Sequence, residues 1–264
     1  MAVKVQDPWL QKSWNHAVEE FVANLRRATD GSRAVPGLDW TVTDLGQHVA
    51  CLPAYWRARH AEGGHFSPPE DFAAFSNKAR AHITETELGE LADLVEVEFA
   101  AFMAELRNGP ATRWLYGVEV TPAQLSGLGL SELVVHGRDL SGVTHAAEPT
   151  LDRAEANLVV DAMMAISPVF VDPDKARAQP DGIYHLAFRG GDSFTWTKRG
   201  AELVIERGKP PRADAHLNCD PWIFLLSSLG RIGQVRAAIG GGTIAYGRRP
   251  WRFLGLGAIV ADGV

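Results

Sequence analysis

Apolar positions recur at intervals of three and four over the first half of the chain, which is the period of a helix with one buried face. From Trp9 to Ala28, the residues Leu10, Trp14, Ala17, Phe21 and Leu25 share one stripe. Arg26 and Arg27 then suit a helix C-terminus. The breakers Gly31, Pro36 and Gly37 mark a loop. A second helix is expected after Trp40, with Thr41 as N-cap and Asp44 returning the bond in a capping box. It carries Leu45, His48, Val49, Leu52, Tyr55 and Trp56, with Pro53 expected to kink or shorten it. The polar Gly/Pro stretch AEGGHFSPPEDF separates it from a third helix, expected from Thr84 to Arg107. There Leu88, Leu91, Val95, Phe99, Phe102 and Leu106 form the stripe, and Gly109 and Pro110 stop it. A fourth helix opens at Thr121 and Pro122 and runs through LSELVVHGRDLSGVT.

After Pro149 the pattern changes. LDRAEANLVVDAMMAI predicts a fifth helix, and then the period becomes two. GIYHLAF, SFTWTKR and AELVIER read as antiparallel strands separated by Gly, and ADAHLNC as another strand. DPWIFLLSSLGR reads as a helix capped by Asp220, and GTIAYG as a short last strand. Trp196, Trp222 and Trp251 read as core or pocket lining. The expected fold class is α+β. An N-terminal antiparallel four-helix bundle fills residues 1–148, and a smaller α+β domain fills residues 149–264.

Composition narrows the function classes. Lys and Arg number 26 against 32 Asp and Glu, a net charge of −6, which argues against bulk-charge binding of nucleic acid or an anionic membrane. The longest apolar stretch, Leu158 to Val171, carries Asp161 and Pro168 and falls short of the ~18 residues that span a bilayer. The N-terminus shows no apolar signal segment. Two cysteines, Cys51 and Cys219, make no disulfide framework, so a cytoplasmic location and a small-molecule partner are expected. The Gly-rich stretches near 240 and 255 lack the strand, helix and Lys-Ser/Thr of a phosphate loop, and no Gly-x-Ser-x-Gly elbow is present.

The candidate chemistry lies on two helices. Glu132 and His136 stand four apart and project from one face, and His48 lies mid-way along another helix. If the bundle joins these faces, the set is two imidazoles and one carboxylate, three ligands with a position left open, as in catalytic zinc sites. Asp44, four before His48, is a rival ligand. Cys51, three after it, is either a fourth ligand that would close the site or a small core residue. Asp139, three after His136, is either an orienting partner of that histidine or a solvated helix-end acid.

The segments WTVTDLGQHVACLPAYW and SELVVHGRDLSGVT resemble the mycothiol-dependent maleylpyruvate isomerase family, whose N-terminal part is a DinB-like metal-binding bundle. The matching positions are Trp40, Thr41, Asp44, Leu45 and His48, then Glu132, His136, Asp139 and Leu140. The chain departs at Gly137 and Arg138, where that family often has an aromatic before the Asp. The resemblance implies that His48, Glu132 and His136 bind a divalent metal, zinc foremost, with Asp44 as cap. It also implies mycothiol or another small thiol as cofactor, isomerisation or S-transfer as the reaction, and a sterol-carrier-like second domain. ADAHLNCDPWIFLLSSLGR matches that domain, and Arg231 is the position onto which the family's catalytic arginine falls. A metal-dependent hydrolase and a non-catalytic binding protein are the alternatives.

Overall fold

Capping and amphipathic spacing together build the first part of the molecule. This computed structural model describes residues 3–61, 80–115, 117–256 and 259. The chain divides into two compact units, Met1–Leu151 and Asp152–Val264.

Among the described residues of the first unit, four long helices occur: α1 (Pro8–Arg27), α2 (Val42–Ala61), α3 (Leu88–Asn108) and α4 (Pro122–Thr144). Helices α1 and α2 each pack against both α3 and α4. The stripe read for α1 is buried, with Leu10, Phe21 and Leu25 fully enclosed. Trp14 meets Phe99 and Phe102 of α3 at ring-centroid distances of 5.6 and 6.4 Å. Each such buried side chain contributes roughly 1.5–3 kcal/mol relative to exposure. Gly129 of α4 is required by this packing, because a Cβ there would sit 2.5 Å from the Trp14 ring. Helix α4 buries residues on every side, as a helix inside a core does.

The capping residues act as expected. The Thr41 hydroxyl accepts from the Asp44 backbone N–H at 3.1 Å, and the Thr41 N–H donates to Asp44 Oδ2 at 2.9 Å. Thr121 and Gln124 make the equivalent box at the start of α4. Pro53 lies inside α2, which continues to Ala61. Two differences from the sequence pattern stand out. Helix α3 starts at Leu88 rather than Thr84. The Gln47 amide draws the preceding residues away by donating to the Glu85 carbonyl at 2.9 Å. Between α3 and α4 lies a short hairpin, β1 (Arg113–Leu115) with β2 (Val118–Val120), too brief to show a period of its own. The stretch AEGGHFSPPEDF falls almost wholly outside the described residues.

The second unit opens with α5 (Arg153–Ile166), capped by Asp152 and Glu155, and α6 (Pro173–Ala178). Its strands are β3 (Gly182–Phe188), β4 (Ser193–Arg199), β5 (Glu202–Arg207), β6 (Ala215–Cys219) and β7 (Thr243–Gly247). They form one mixed sheet in the order β5-β4-β3-β6-β7. The β3–β6 pair is parallel and the other three pairs are antiparallel. Alternation sorts the faces: Tyr184, Leu186, Phe188, Phe194 and Leu217 enter one core with Val160 and Met164 of α5. Three short helices follow β6 or lie near the end of the chain: α7 (Pro221–Ser228), α8 (Gln234–Ile239) and α9 (Phe253–Leu256). Asp220 caps α7 through the Trp222 and Ile223 amides. Trp196 packs against the core. Trp251, expected in the core or lining a pocket, is 63% exposed on a 3-10 turn and so lies outside the core. No helix among the described residues is long and apolar enough to cross a membrane.

Candidate metal centre

Helix α2 buries Leu45, Val49 and Leu52, and that stripe carries His48 into the interior at 8% exposure. Helix α4 brings His136 in at 7% exposure, one turn beyond Glu132. The two helices place His48 Nε2 3.4 Å from Glu132 Oε2, and His136 Nε2 3.2 Å from the same oxygen. The imidazoles stand edge to face, with centroids 5.1 Å apart at 80°. Among the described residues, this is the only group of three or more His, Cys, Asp or Glu side chains whose ligand atoms converge, all within 4.8 Å of one another.

The donor set fits a divalent cation on two grounds. A tetrahedral ion with bonds of roughly 2.0–2.1 Å has donors about 3.3 Å apart, and the two edges to Glu132 are 3.4 and 3.2 Å. The second ground is protonation. Asp139 Oδ2 accepts from His136 Nδ1 at 3.0 Å. A neutral His136 therefore turns the lone pair of Nε2 toward a carboxylate oxygen. Two acceptors face each other there, and only a proton or a metal ion relieves them.

The titration directions express the same need. Burial opposes protonation of His136, but its bonds to Asp139 and Glu132 outweigh burial and raise its pKa. Burial pushes His48 down, aided by His136 and Arg80 and opposed by Glu132. Burial likewise works against ionised Glu132, yet the bonds from His136 and His48 hold it well below the usual carboxylate range.

The other candidates separate. Asp44 is not in the converging set. It serves as the cap of α2 and pairs through Oδ1 with Arg80 Nη1 at 2.9 Å. Burial opposes its ionisation, but the bonds from Thr41 and the charge of Arg80 lower its pKa. Cys51 lies outside the set as well. Its thiol points at the His48 carbonyl, 3.1 Å away, and burial pushes it up to about 12. The ligand position that would close the site is therefore not supplied by sulfur. Asp139 is 8% exposed and bonded to His136, so it is an orienting partner and not a solvated acid. Arg231 belongs to the second unit, where its guanidinium donates to the Leu229 carbonyl at 2.7 Å.

Two neighbours of the centre were not among the candidate ligands. The Trp40 ring lies 4.7 Å from that of His48 and 5.9 Å from that of His136, walling both ligands. Arg80 lies over the Trp40 ring at 5.6 Å. Trp40 was visible only as part of a motif, and Arg80 has no sequence spacing that ties it to the ligands.

The family model for the mycothiol maleylpyruvate isomerase N-terminal domain matches residues 13–141. No curated protein matches the chain. Among solved structures, the chain is similar to the stereoselective inverting sec-alkylsulfatase Pisa1 from Pseudomonas sp., at 15% identity over 90% of this chain with a TM-score of 0.35. It spans about a third of that protein, 33% of its length. It is similar also to a mycothiol-dependent maleylpyruvate isomerase, at 14% identity over 92% of this chain and 95% of that one, with a TM-score of 0.47.

Proposed function

The chain belongs, through residues 13–141, to the mycothiol maleylpyruvate isomerase N-terminal domain family, and on that premise we propose a metal- and thiol-dependent enzyme. It uses a low-molecular-weight thiol, mycothiol or one like it, as nucleophile for isomerisation or S-transfer on a small electrophile. The observation that carries this reading is the convergence of His48, Glu132 and His136 at donor spacings suited to one divalent ion, zinc foremost, with a position left over. When bound there, the ion acidifies the thiol or water that takes the open position.

The chain's own residues do the rest. Glu132 supplies the one anionic ligand, so the centre keeps net positive charge toward an incoming anion. Asp139 fixes the His136 tautomer and ring orientation. Trp40 covers both imidazoles and keeps bulk water from that side, which strengthens every charge interaction within. A conjugate addition of the thiol to a cis double bond leaves a single bond that rotates, and elimination returns the thiol and the trans isomer. A substrate carboxylate held by an arginine fork belongs to the same reading, and the resemblance offers Arg231 for it.

The test is thiol dependence in the zinc-loaded protein. Turnover of an activated cis-enone acid should require added thiol and stop on His136→Ala. Turnover unchanged after every small thiol is removed would move the assignment to metal-dependent hydrolysis. Equally low metal in the wild type and in His136→Ala would leave a binding protein.

A further inference from the structure

The sheet of the second unit ends in an edge whose charge is opposite to that of the whole chain. From Pro221 to Arg252 the sequence holds five arginines and neither Asp nor Glu, in a chain of net charge −6. Strand β7 lies within that stretch and has β6 as its one neighbour in the sheet. Their register runs from Cys219 opposite Thr243 to Ala215 opposite Gly247. Just before it, the Asp220 N–H donates to the Gly242 carbonyl at 2.7 Å. Bonded pairs alternate in an antiparallel ladder, so Ile244 and Tyr246 bond to β6, and the N–H and C=O groups of Thr243 and Ala245 point outward. Natural edges are blunted by lysine, proline or inward charge, and β7 reads Thr-Ile-Ala-Tyr-Gly with none of these. Five of the eight large apolar side chains exposed among the described residues lie from Val235 to Trp251. They include Ile244 and Tyr246 of β7, and Val235 and Ile239 of α8, which packs beside it. The arginines there divide. Arg249 and Arg252 stand 4.0 and 3.9 Å from Asp214. Arg236 of α8 and Arg248, the residue after β7, are exposed and make no ion pair with a described residue.

We infer that β7 is a docking edge, which takes an extended acidic segment of another protein as a sixth strand of the sheet. Main-chain bonds to Thr243 and Ala245 hold the segment, alternate side chains rest on Ile244 and Tyr246, and its carboxylates meet Arg236 and Arg248. Charge selects this occupant over a second copy of the chain. Pairing β7 with β7 about a two-fold axis brings two basic edges together, and like charges across an interface cost affinity. The edge belongs to the second unit, and pairing there needs neither the metal nor the thiol.

The experiment uses the full chain and three fluorescent heptapeptides: Asp-Val-Glu-Val-Glu-Val-Asp, the same peptide N-methylated at alternate residues, and Lys-Val-Lys-Val-Lys-Val-Lys. Anisotropy should show the acidic peptide binding roughly tenfold or more tightly than the lysine peptide, and weakening several-fold as salt rises. The N-methylated peptide, which keeps the charge but loses the ladder bonds, should bind at least about tenfold more weakly. Hydrogen exchange at Thr243 and Ala245 should slow when the acidic peptide is added. Joint Arg236→Glu and Arg248→Glu should abolish binding. Ala245→Pro, which removes an outward N–H and leaves the bonds to β6, should do the same at unchanged charge. Should either variant fail to fold, the N-methylated peptide decides the matter, because it leaves the protein untouched. Equal binding of the acidic and lysine peptides, equal binding of the N-methylated one, or binding that leaves both amides unprotected overturns the inference. So does binding of no peptide at roughly millimolar concentration. A mass by light scattering that rises with protein concentration and falls in Ala245→Pro would give the edge to a second copy instead. Sedimentation with phosphatidylglycerol vesicles that is lost in the arginine variant would give it to a lipid surface, and either result overturns the inference.

Discussion

Each unit holds two histidines set edge to face, and the two pairs differ in everything that matters for metal chemistry. In the bundle, His48 and His136 lie 5.1 Å apart at 80° and share a carboxylate oxygen through their Nε2 atoms. In the sheet, His185 on β3 and His216 on β6 are register partners 5.3 Å apart at 79°. Their Nδ1 atoms face each other at 3.1 Å, so one ring donates and the other accepts. No acidic group joins the second pair into a converging set among the described residues. The charges that act on His185 come from His216 and Lys209, and both lower its pKa beyond what burial does. Tyr246 stacks on His216 at 5.0 Å. The lesson is that proximity of two imidazoles is common to both pairs. A shared anionic oxygen and a carboxylate that fixes one tautomer belong to the first alone.

The comparison breaks most readily at the metal. His136→Ala or Glu132→Gln should lower metal affinity at least about a hundredfold, leaving purified protein nearly metal-free, while His185→Ala should keep the wild-type content. Elemental analysis after dialysis reads this directly, and metal lost equally from the His185 variant would erase the distinction drawn between the pairs. A smaller effect is expected from Asp139→Asn. It leaves all three ligands in place but frees the His136 tautomer, and should weaken metal binding by roughly 10–100-fold in a chelator competition. Wild-type affinity in that variant would show that the Asp139 contact is only structural.

The smallest effect concerns protons and stability in the second unit. His185 titrates below its ordinary value of 6.5 because burial disfavours its cation. Above pH 6.5 the folded and unfolded chains are both neutral at this position, and the full stability is present. As pH falls toward the lower folded value, the unfolded chain takes up a proton that the folded one resists, so stability is lost toward acid. Hydrogen exchange of the β3 amides should therefore quicken between pH 7.5 and 5.5, after correction for intrinsic rates. The acceleration should be smaller in His185→Phe, and identical slopes in the two proteins would show that burial of this imidazole is not the cause.

Much of the fold was legible because its signals are local. The stripe of α1, the capping boxes of Thr41 and Thr121, and the alternation of β3, β4 and β5 each follow from residues a few positions apart. The hairpin β1–β2 was not legible, since three-residue strands carry too little period. The start of α3 was displaced by Gln47, whose amide reaches a carbonyl 38 residues away. The parallel β3–β6 pairing is a relation between distant segments and leaves no mark in either strand. At the centre, Glu132 and His136 could be placed on one helix face from spacing, and the resemblance joined His48 to them.

The residue order by itself determined which side chains share a face, where the capped helices α2 and α4 begin, and that one carboxylate and one histidine sit a turn apart on α4. Only the folded chain decided that α2 lies close enough for His48 to meet the same oxygen, that Asp44 and Cys51 turn elsewhere, and that Trp40 walls the ligands with Arg80 over its ring. The physical reason is range. Hydrogen-bonded turns and amphipathic stripes are settled within a few residues. Donor atoms converging to within a few ångström from helices more than eighty residues apart depend on how whole cores pack.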